Sequence, residues 1–307
     1  MVQEKHKYKN NIIKDKIQSH KINNWFKKKG WSFYDYQIKA LQAINQNKDI
    51  LITSPTGSGK TLAGLLPTIL ESDKFKKNNL YTIFISPLKS LSYDIERNLL
   101  IPINECDLNL TISVRTGDTT AYTKTKQIEK PPNILVTTPE SFALLMSYKN
   151  AEEYFSNLKY LIIDELHNII HSKRGDLLAL NIARLNEIAP NHNKIALSAT
   201  LKDIKTGLAY FSNKKKSEII KSLKYKKLSV SIIKTTKNIP WSGYMATYAI
   251  KNIYNNILKH KSSIIFVNTR AQAEVLFQSL WKINKDKLNI AVHHYILIQT
   301  KQLMHSL

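Results

Sequence analysis

From about residue 49 the chain alternates two rhythms. Short, mostly apolar runs stand at Asp49–Thr53 ("DILIT"), 80–85, 112–114, 134–136, 161–163 and 195–197. Between them apolar residues recur at helical spacing. Leu62, Leu65, Leu66 and Ile69 form one such stripe; Leu88, Leu91, Ile95 and Leu99 form another; 177–188 carries a third. Runs that are continuously apolar, not alternating, predict strands buried on both faces. With helices between them, they predict an α/β fold: a parallel sheet covered by helices on both sides.

The rhythm breaks near 213–243, a lysine-dense stretch ending in "NIPWSG", whose Pro240 and Gly243 are turn signals. It reads as a basic linker with a short strand of its own near 228–233. A second α/β unit follows over 244–294, with a helix near 244–260, a strand at 264–267, a helix over 271–281 and a strand at 288–292. Residues 1–22 read as a lysine-rich lead-in and 23–212 as the first domain. The last residues, 295–307, fit neither rhythm.

One loop carries explicit chemistry. "SPTGSGKT", Ser54 to Thr61, lies between a predicted strand and a predicted helix, the context a phosphate-binding loop needs. Thr56, Gly57, Ser58 and Gly59 would let backbone N–H groups wrap phosphates. Lys60 would neutralise charge, and Thr61 would offer a hydroxyl to Mg²⁺ at the positive end of the helix dipole. Ser54 stands where the first glycine of the pattern is usually written. By itself the loop leaves a kinase, a transporter, a switch or a nucleic-acid motor open.

A second feature narrows the field. The run 161–163 passes straight into Asp164-Glu165-Leu166-His167. Carboxylates at the end of a buried strand lie at the sheet edge where ligands bind. Asp164 would hold Mg²⁺ through water, and Glu165 would orient and deprotonate an attacking water. An Asp-Glu pair after a strand is by itself commonly a solvated turn; the phosphate loop upstream reverses that reading. Further strand ends carry "SPLKS" (86–90), "RTGDT" (115–119), "TTPES" (137–141) and "SAT" (198–200). Each alone is a cap or a turn. Together, on one edge, they suit backbone contacts to phosphates.

Composition adds charge. The 307 residues carry 46 Lys and Arg against 23 Asp and Glu, a formal net charge of +23. Such a field favours polyanions, nucleic acid first. Arginines number only five, Arg97, Arg115, Arg174, Arg184 and Arg270, so part of the charge reflects a general drift to lysine. Lysine cannot replace guanidinium where a planar fork is needed, which makes the few arginines informative; Arg115, Arg174 and Arg270 fall in the segments of interest. Cys106 is the one cysteine, which excludes a disulfide framework and a cysteine-based metal site. No apolar run approaches the ~18 residues of a membrane span, and a cytoplasmic protein is expected.

In order along the chain, "YDYQIKAL", "SPTGSGKT", "SPLKSLSYDI", "RTGDT", "TTPES", "IDELH", "LSAT" and "IIFVNTRAQAE" resemble a superfamily 2 helicase of the DExH kind. The wording is similar to the Lhr (large helicase-related) family of DNA-repair helicases, over roughly 25–294. The resemblance implies two RecA-like lobes, ATP and Mg²⁺ as cofactors, and 3′ to 5′ movement on single-stranded or partly duplex DNA, with RNA still open. It implies that Gln37 reads adenine, with Trp31 or Phe33 available to stack. It assigns His167, Ser198, Ala199 and Thr200 to coupling between nucleotide and movement. Pro87, Lys89, Thr116, Gly117, Thr138 and Pro139 would track one strand, while Phe266, Asn268 and Arg270 would belong to the first motif of the second lobe.

The resemblance stops at His293-His294. Only 64 residues follow Gly243, against the roughly 150 of a RecA-like lobe. The family's arginine finger, worth ~10³–10⁵ in rate, lies in the part without a match. The expectation is therefore a chain that binds ATP and nucleic acid but turns ATP over poorly by itself. It would be half of a split helicase completed by a C-terminal polypeptide, or a non-enzymatic or decaying product.

Overall fold

The computed structural model describes residues 15, 17–55, 57–199, 203–212, 216–222, 229–233 and 247–292. Most of the lead-in, much of the linker and the tail lie outside them, as do Thr56 and Thr200. The chain divides into two compact units, 1–226 and 227–307.

The first unit is built on seven strands. They are β1 (Asp49–Thr53), β2 (Thr82–Ile85), β3 (Ile112–Arg115), β4 (Ile134–Thr137), β5 (Tyr160–Ile163), β6 (Asn193–Ser198) and β7 (Ser217–Lys221). Their order across the sheet is β3-β4-β2-β5-β6-β1-β7, and every pair is parallel. This is the α/β sheet that the apolar runs predict.

Alternate residues feed two cores, one on each face. Ile50, Ile52, Phe84, Val136, Ile162 and Leu197 enter one cluster. Leu51, Ile83, Ile85, Leu135, Leu161, Ile163 and Ala196 enter the other. That two-sided burial is why the strands read as unbroken apolar runs. The helix Lys60–Leu70 lies close on the sheet because Gly64 faces it. A Cβ there would stand 3.3 Å from both Ile162 and Leu197 side chains.

β7 corrects the linker reading. Residues 217–221 fall within the stretch assigned to the linker, yet they pair with β1 in register from Asp49 opposite Ser217 to Thr53 opposite Lys221. Only Ile220 of this strand is buried. One buried residue among lysines gives no apolar run, so an edge strand stays hidden in the sequence. The strand expected near 228–233 is not found in the described part, where Val230 and Ile232 stand 87% and 89% exposed.

The second unit has a short 3₁₀ turn at Thr247–Ala249 and helices Ile250–Leu258 and Arg270–Lys282. Ile250, Tyr254, Leu276 and Leu280 form its small core. The segments 264–267 and 288–292, expected as strands, make no ladder. A strand exists through its neighbour's hydrogen bonds, and among the described residues none is supplied. Ile264 and Phe266 are left 79% and 90% exposed. Among the described residues, no helix is long and apolar enough to cross a membrane.

Candidate nucleotide-binding site

The parallel sheet sends the loops after β1, β5 and β6 to one edge, side by side. After β1, Gly57 and Gly59 take left-handed φ values of 72° and 85°, which glycine adopts without steric cost. The Gly59 carbonyl accepts from Gln37 Nε2 at 3.3 Å, and the Ser58 carbonyl from the Tyr36 hydroxyl at 2.7 Å. Ser54, the departure from the glycine pattern, is buried. Its hydroxyl lies 2.5 Å from that of Ser58, which also reaches the Pro55 carbonyl at 2.6 Å. The serine thus closes the loop through a side-chain bond that glycine could not make.

Lys60 opens the helix with its ammonium buried and donating to the Ser54 carbonyl at 2.7 Å. Burial pushes its pKa below the ordinary lysine range, and the charges of Glu165 and Asp164 partly restore it. Thr61, next in the helix, is half-buried.

Asp164 follows β5 and is 7% exposed. Burial, then the Glu165 charge, push its pKa up from 3.8 to about 6, against the opposing pull of the Glu165 backbone N–H and Lys60. Glu165 takes a left-handed backbone, φ 45° and ψ 47°, rare for a residue with a side chain. Its N–H donates to Asp164 Oδ1 at 2.9 Å. His167 Nδ1 stands 3.0 Å from Ser198 Oγ and 3.3 Å from Glu165 Oε2, so one imidazole touches both the β5 and the β6 loops. Ala199 is beside Ser198 and half-buried.

Gln37, Gly57, Ser58, Gly59, Lys60, Thr61, Asp164, Glu165, His167, Ser198 and Ala199 therefore share one end of the sheet. A buried cation with two carboxylates near it, beside glycine turns, is a donor set that fits a Mg²⁺-bound polyphosphate: the lysine would meet phosphate, the carboxylates the metal. Among the described residues no cluster of three or more His, Cys, Asp or Glu is placed to hold a metal by itself.

The loops after β2, β3 and β4 hold the other candidates. Pro87, Thr116, Thr138 and Pro139 are buried, whereas Lys89 and Gly117 are exposed. Thr138 caps the helix Pro139–Met146 by accepting from the Ser141 N–H, and Thr116 Oγ1 accepts from Asp118 N–H at 3.3 Å. The threonines shape turns, and contacts from this edge would come through backbone and through Lys89. Asn268 and Arg270 belong to the second unit and are exposed. The Asn268 N–H donates to Gln272 at 3.0 Å.

Three residues take roles that the sequence leaves unassigned. Trp31 packs edge-on to Trp25 and Phe26, and Phe33 stacks on Phe26 at 4.1 Å. The exposed aromatic next to the loop is instead Tyr34, whose ring is 3.9 Å from where a Cβ on Gly59 would stand. Arg115, 2% exposed, donates to the Lys124 carbonyl at 2.9 Å and to the Tyr148 hydroxyl at 2.6 Å. It braces "RTGDT" from within. Asp118 pairs with Lys89 at 2.7 Å. The scarcity of arginine signals Arg115 and "RTGDT" includes Asp118 without giving it a role, while the aromatic spacing before Gln37 points to Trp31 or Phe33 and not to Tyr34.

A parallel sheet with a phosphate loop and a strand-end Asp-Glu pair at one edge defines a P-loop nucleotide-binding domain. The DEAD/DEAH box helicase family model matches residues 34–206, more than half of the chain, and the chain belongs to that family. It is similar to the ATP-dependent helicase Lhr-Core of Methanocaldococcus jannaschii, 34% identical over 92% of this chain and 35% of that protein. It is also similar to the Lhr helicase/uracil glycosylase of Escherichia coli, 30% identical over 75% of this chain and 17% of that protein. The solved structure of Mycobacterium smegmatis helicase Lhr bound to ssDNA and AMP-PNP superposes with a TM-score of 0.74, at 29% identity over 87% of this chain and 36% of that one. The chain spans about a third of the length of the Lhr-Core relatives.

Proposed function

We propose that this chain is the ATP-binding and strand-tracking part of an Lhr-type helicase that acts on single-stranded or partly duplex nucleic acid, DNA ahead of RNA. The observation that carries the reading is the meeting of Lys60, Asp164 and Glu165 at one end of the sheet, with His167 linking Glu165 to Ser198. The M. smegmatis relative, bound to ssDNA and AMP-PNP, supports both ligands.

Bound Mg²⁺ would supply charge neutralisation on the β- and γ-phosphates. Lys60, now on the Ser54 carbonyl, would meet phosphate, and Asp164 in its ionised form would help hold the metal. Glu165 accepts the proton of the attacking water. Gln37 has bonded one lone pair of Oε1 to the Tyr34 N–H (2.9 Å) and one N–H to Gly59. Its Oε1 keeps one acceptor site, which would take adenine's N6–H. Tyr34, exposed beside the loop, would stack on the base. Thr56 and Thr200 keep the roles that the family resemblance gives them, outside the described residues. A cytoplasmic setting in DNA repair goes with this reading.

The exposed Ile264 and Phe266 of the second unit favour a lobe that further strands complete. The purified chain would then bind ATP with slow turnover. The test is ATP hydrolysis with and without oligo(dT), beside E165Q. We expect nucleotide binding in both proteins and weak, DNA-stimulated hydrolysis that E165Q abolishes. Hydrolysis unchanged by E165Q would overturn the assignment, and turnover in the ordinary enzymatic range would overturn the need for completion.

A further inference from the structure

Lys89 is the first residue of the helix Lys89–Glu105, and its side chain leaves that helix to cross the neighbouring turn. The ammonium is 2.7 Å from Asp118 Oδ1. It would also stand 3.4 Å from a Cβ built on Gly117. The turn is held from inside: the Thr116 N–H donates to Thr119 Oγ1 at 2.9 Å, and the Asp118 N–H to Thr116 Oγ1 at 3.3 Å. Lys124 Nζ donates to the Gly117 carbonyl at 3.2 Å from the other side. The result is an acid fixed on a rigid turn and presented to the exposed cation of this edge.

The side chains of Lys89 and Asp118 are 48% and 54% exposed. A pair so open to water is weakly held. The carboxylate is thus a removable occupant of the place a phosphate oxygen would take. A phosphate brought to Lys89 meets that carboxylate within a few ångströms, and the like charges repel.

We infer that Asp118 sets the affinity of this edge for single strands by neutralising Lys89 until a phosphate displaces it. The inference rests on the proposed function, in which Lys89 meets the nucleic-acid backbone. It adds a residue whose effect is to weaken non-specific binding and to let the strand leave after each contact. Its carboxylate also lowers by one the positive charges this turn shows to a polyanion in the resting state.

The test is a double-mutant cycle on the full chain, with binding to fluorescent oligo(dT) followed by anisotropy from low to high salt. Thermal melting of each variant checks that it folds. K89Q is expected to weaken binding. D118N is expected to tighten it about fivefold at low salt and to steepen the plot of log affinity against log salt by ~0.7, one more phosphate neutralised. In the K89Q background, D118N should gain less than about twofold. An equal gain in both backgrounds would mean simple repulsion of the strand and would overturn the inference, as would D118N leaving affinity unchanged while K89Q lowers it. K89Q without effect would sink the strand-tracking reading as well, which separates the two failures.

Discussion

Asp164 is asked to carry a charge in a place that resists one. Its rise from 3.8 to about 6 corresponds to ~3 kcal/mol against ionisation. The sign is that of an acid raised by the fold. The neutral form is favoured, the penalty grows as pH climbs from about 4 to about 6, and it is complete above. In the ligand-free protein D164N should therefore raise thermal stability, with a gain over wild type that widens between pH 5 and pH 7. Melting curves of both proteins across that range check this; a gain constant with pH would contradict it. The same variant should lose ATP hydrolysis. The side chain weakens the empty fold so that its charge is ready for a cation. Lys60 is its counterpart, a buried amine held by one carbonyl and lowered by burial. Both residues are legible in the sequence because their chemistry dictates a local pattern. Tyr34 and Asp118 are not, since their roles depend on which loops a parallel sheet brings together.

At the scale of elements, the turn after Glu165 depends on a close approach. The helix Lys173–Ile188 begins with Ser172 as cap and Gly175 in its first turn, where a Cβ would fall 2.3 Å from the Ile169 carbonyl. No flexible side chain can yield there, because the obstacle is backbone. G175A should cost ~1–3 kcal/mol as the helix is pushed off the short helix Leu166–Ile169, and chemical denaturation would measure it. ATP hydrolysis should fall further than stability alone explains, since that short helix carries His167. Six of the seven strands were legible as apolar runs: β1, β2, β4, β5 and β6 are central and buried on both faces, and the edge strand β3 still carries Ile112 and Val114. β7 was not, since its only apolar residues are Ile219 and Ile220, one for each core, set between Glu218 and Lys221. The strands at 264–267 and 288–292 are the opposite case: their sequences have the pattern, and no partner strand is present among the described residues. Pattern proposes a strand; pairing makes one.

Across the whole molecule the charge is the dominant property. If all of the +23 served nucleic acid, binding would fall steeply with salt. A single strand crossing one lobe offers only a handful of phosphates, each contributing a slope of ~0.7. We expect a slope of about −2 to −4 for oligo(dT), far from what the net charge suggests. Titrations between low and physiological salt would measure it, and a slope near zero would remove the phosphate-tracking edge from consideration.

The surplus charge has another use at β7. A sheet that ends in a strand leaves a row of amides and carbonyls with nothing beyond them, and any extended chain, including another copy, can extend the ladder. Here the outermost strand ends in exposed Lys221 and follows exposed Lys216, while Glu218 is tied to Lys48 at 2.8 Å. Two copies meeting edge to edge would set lysine against lysine. The lysines that hid the strand from the sequence are thus also the charges that edge-to-edge pairing would have to bring together.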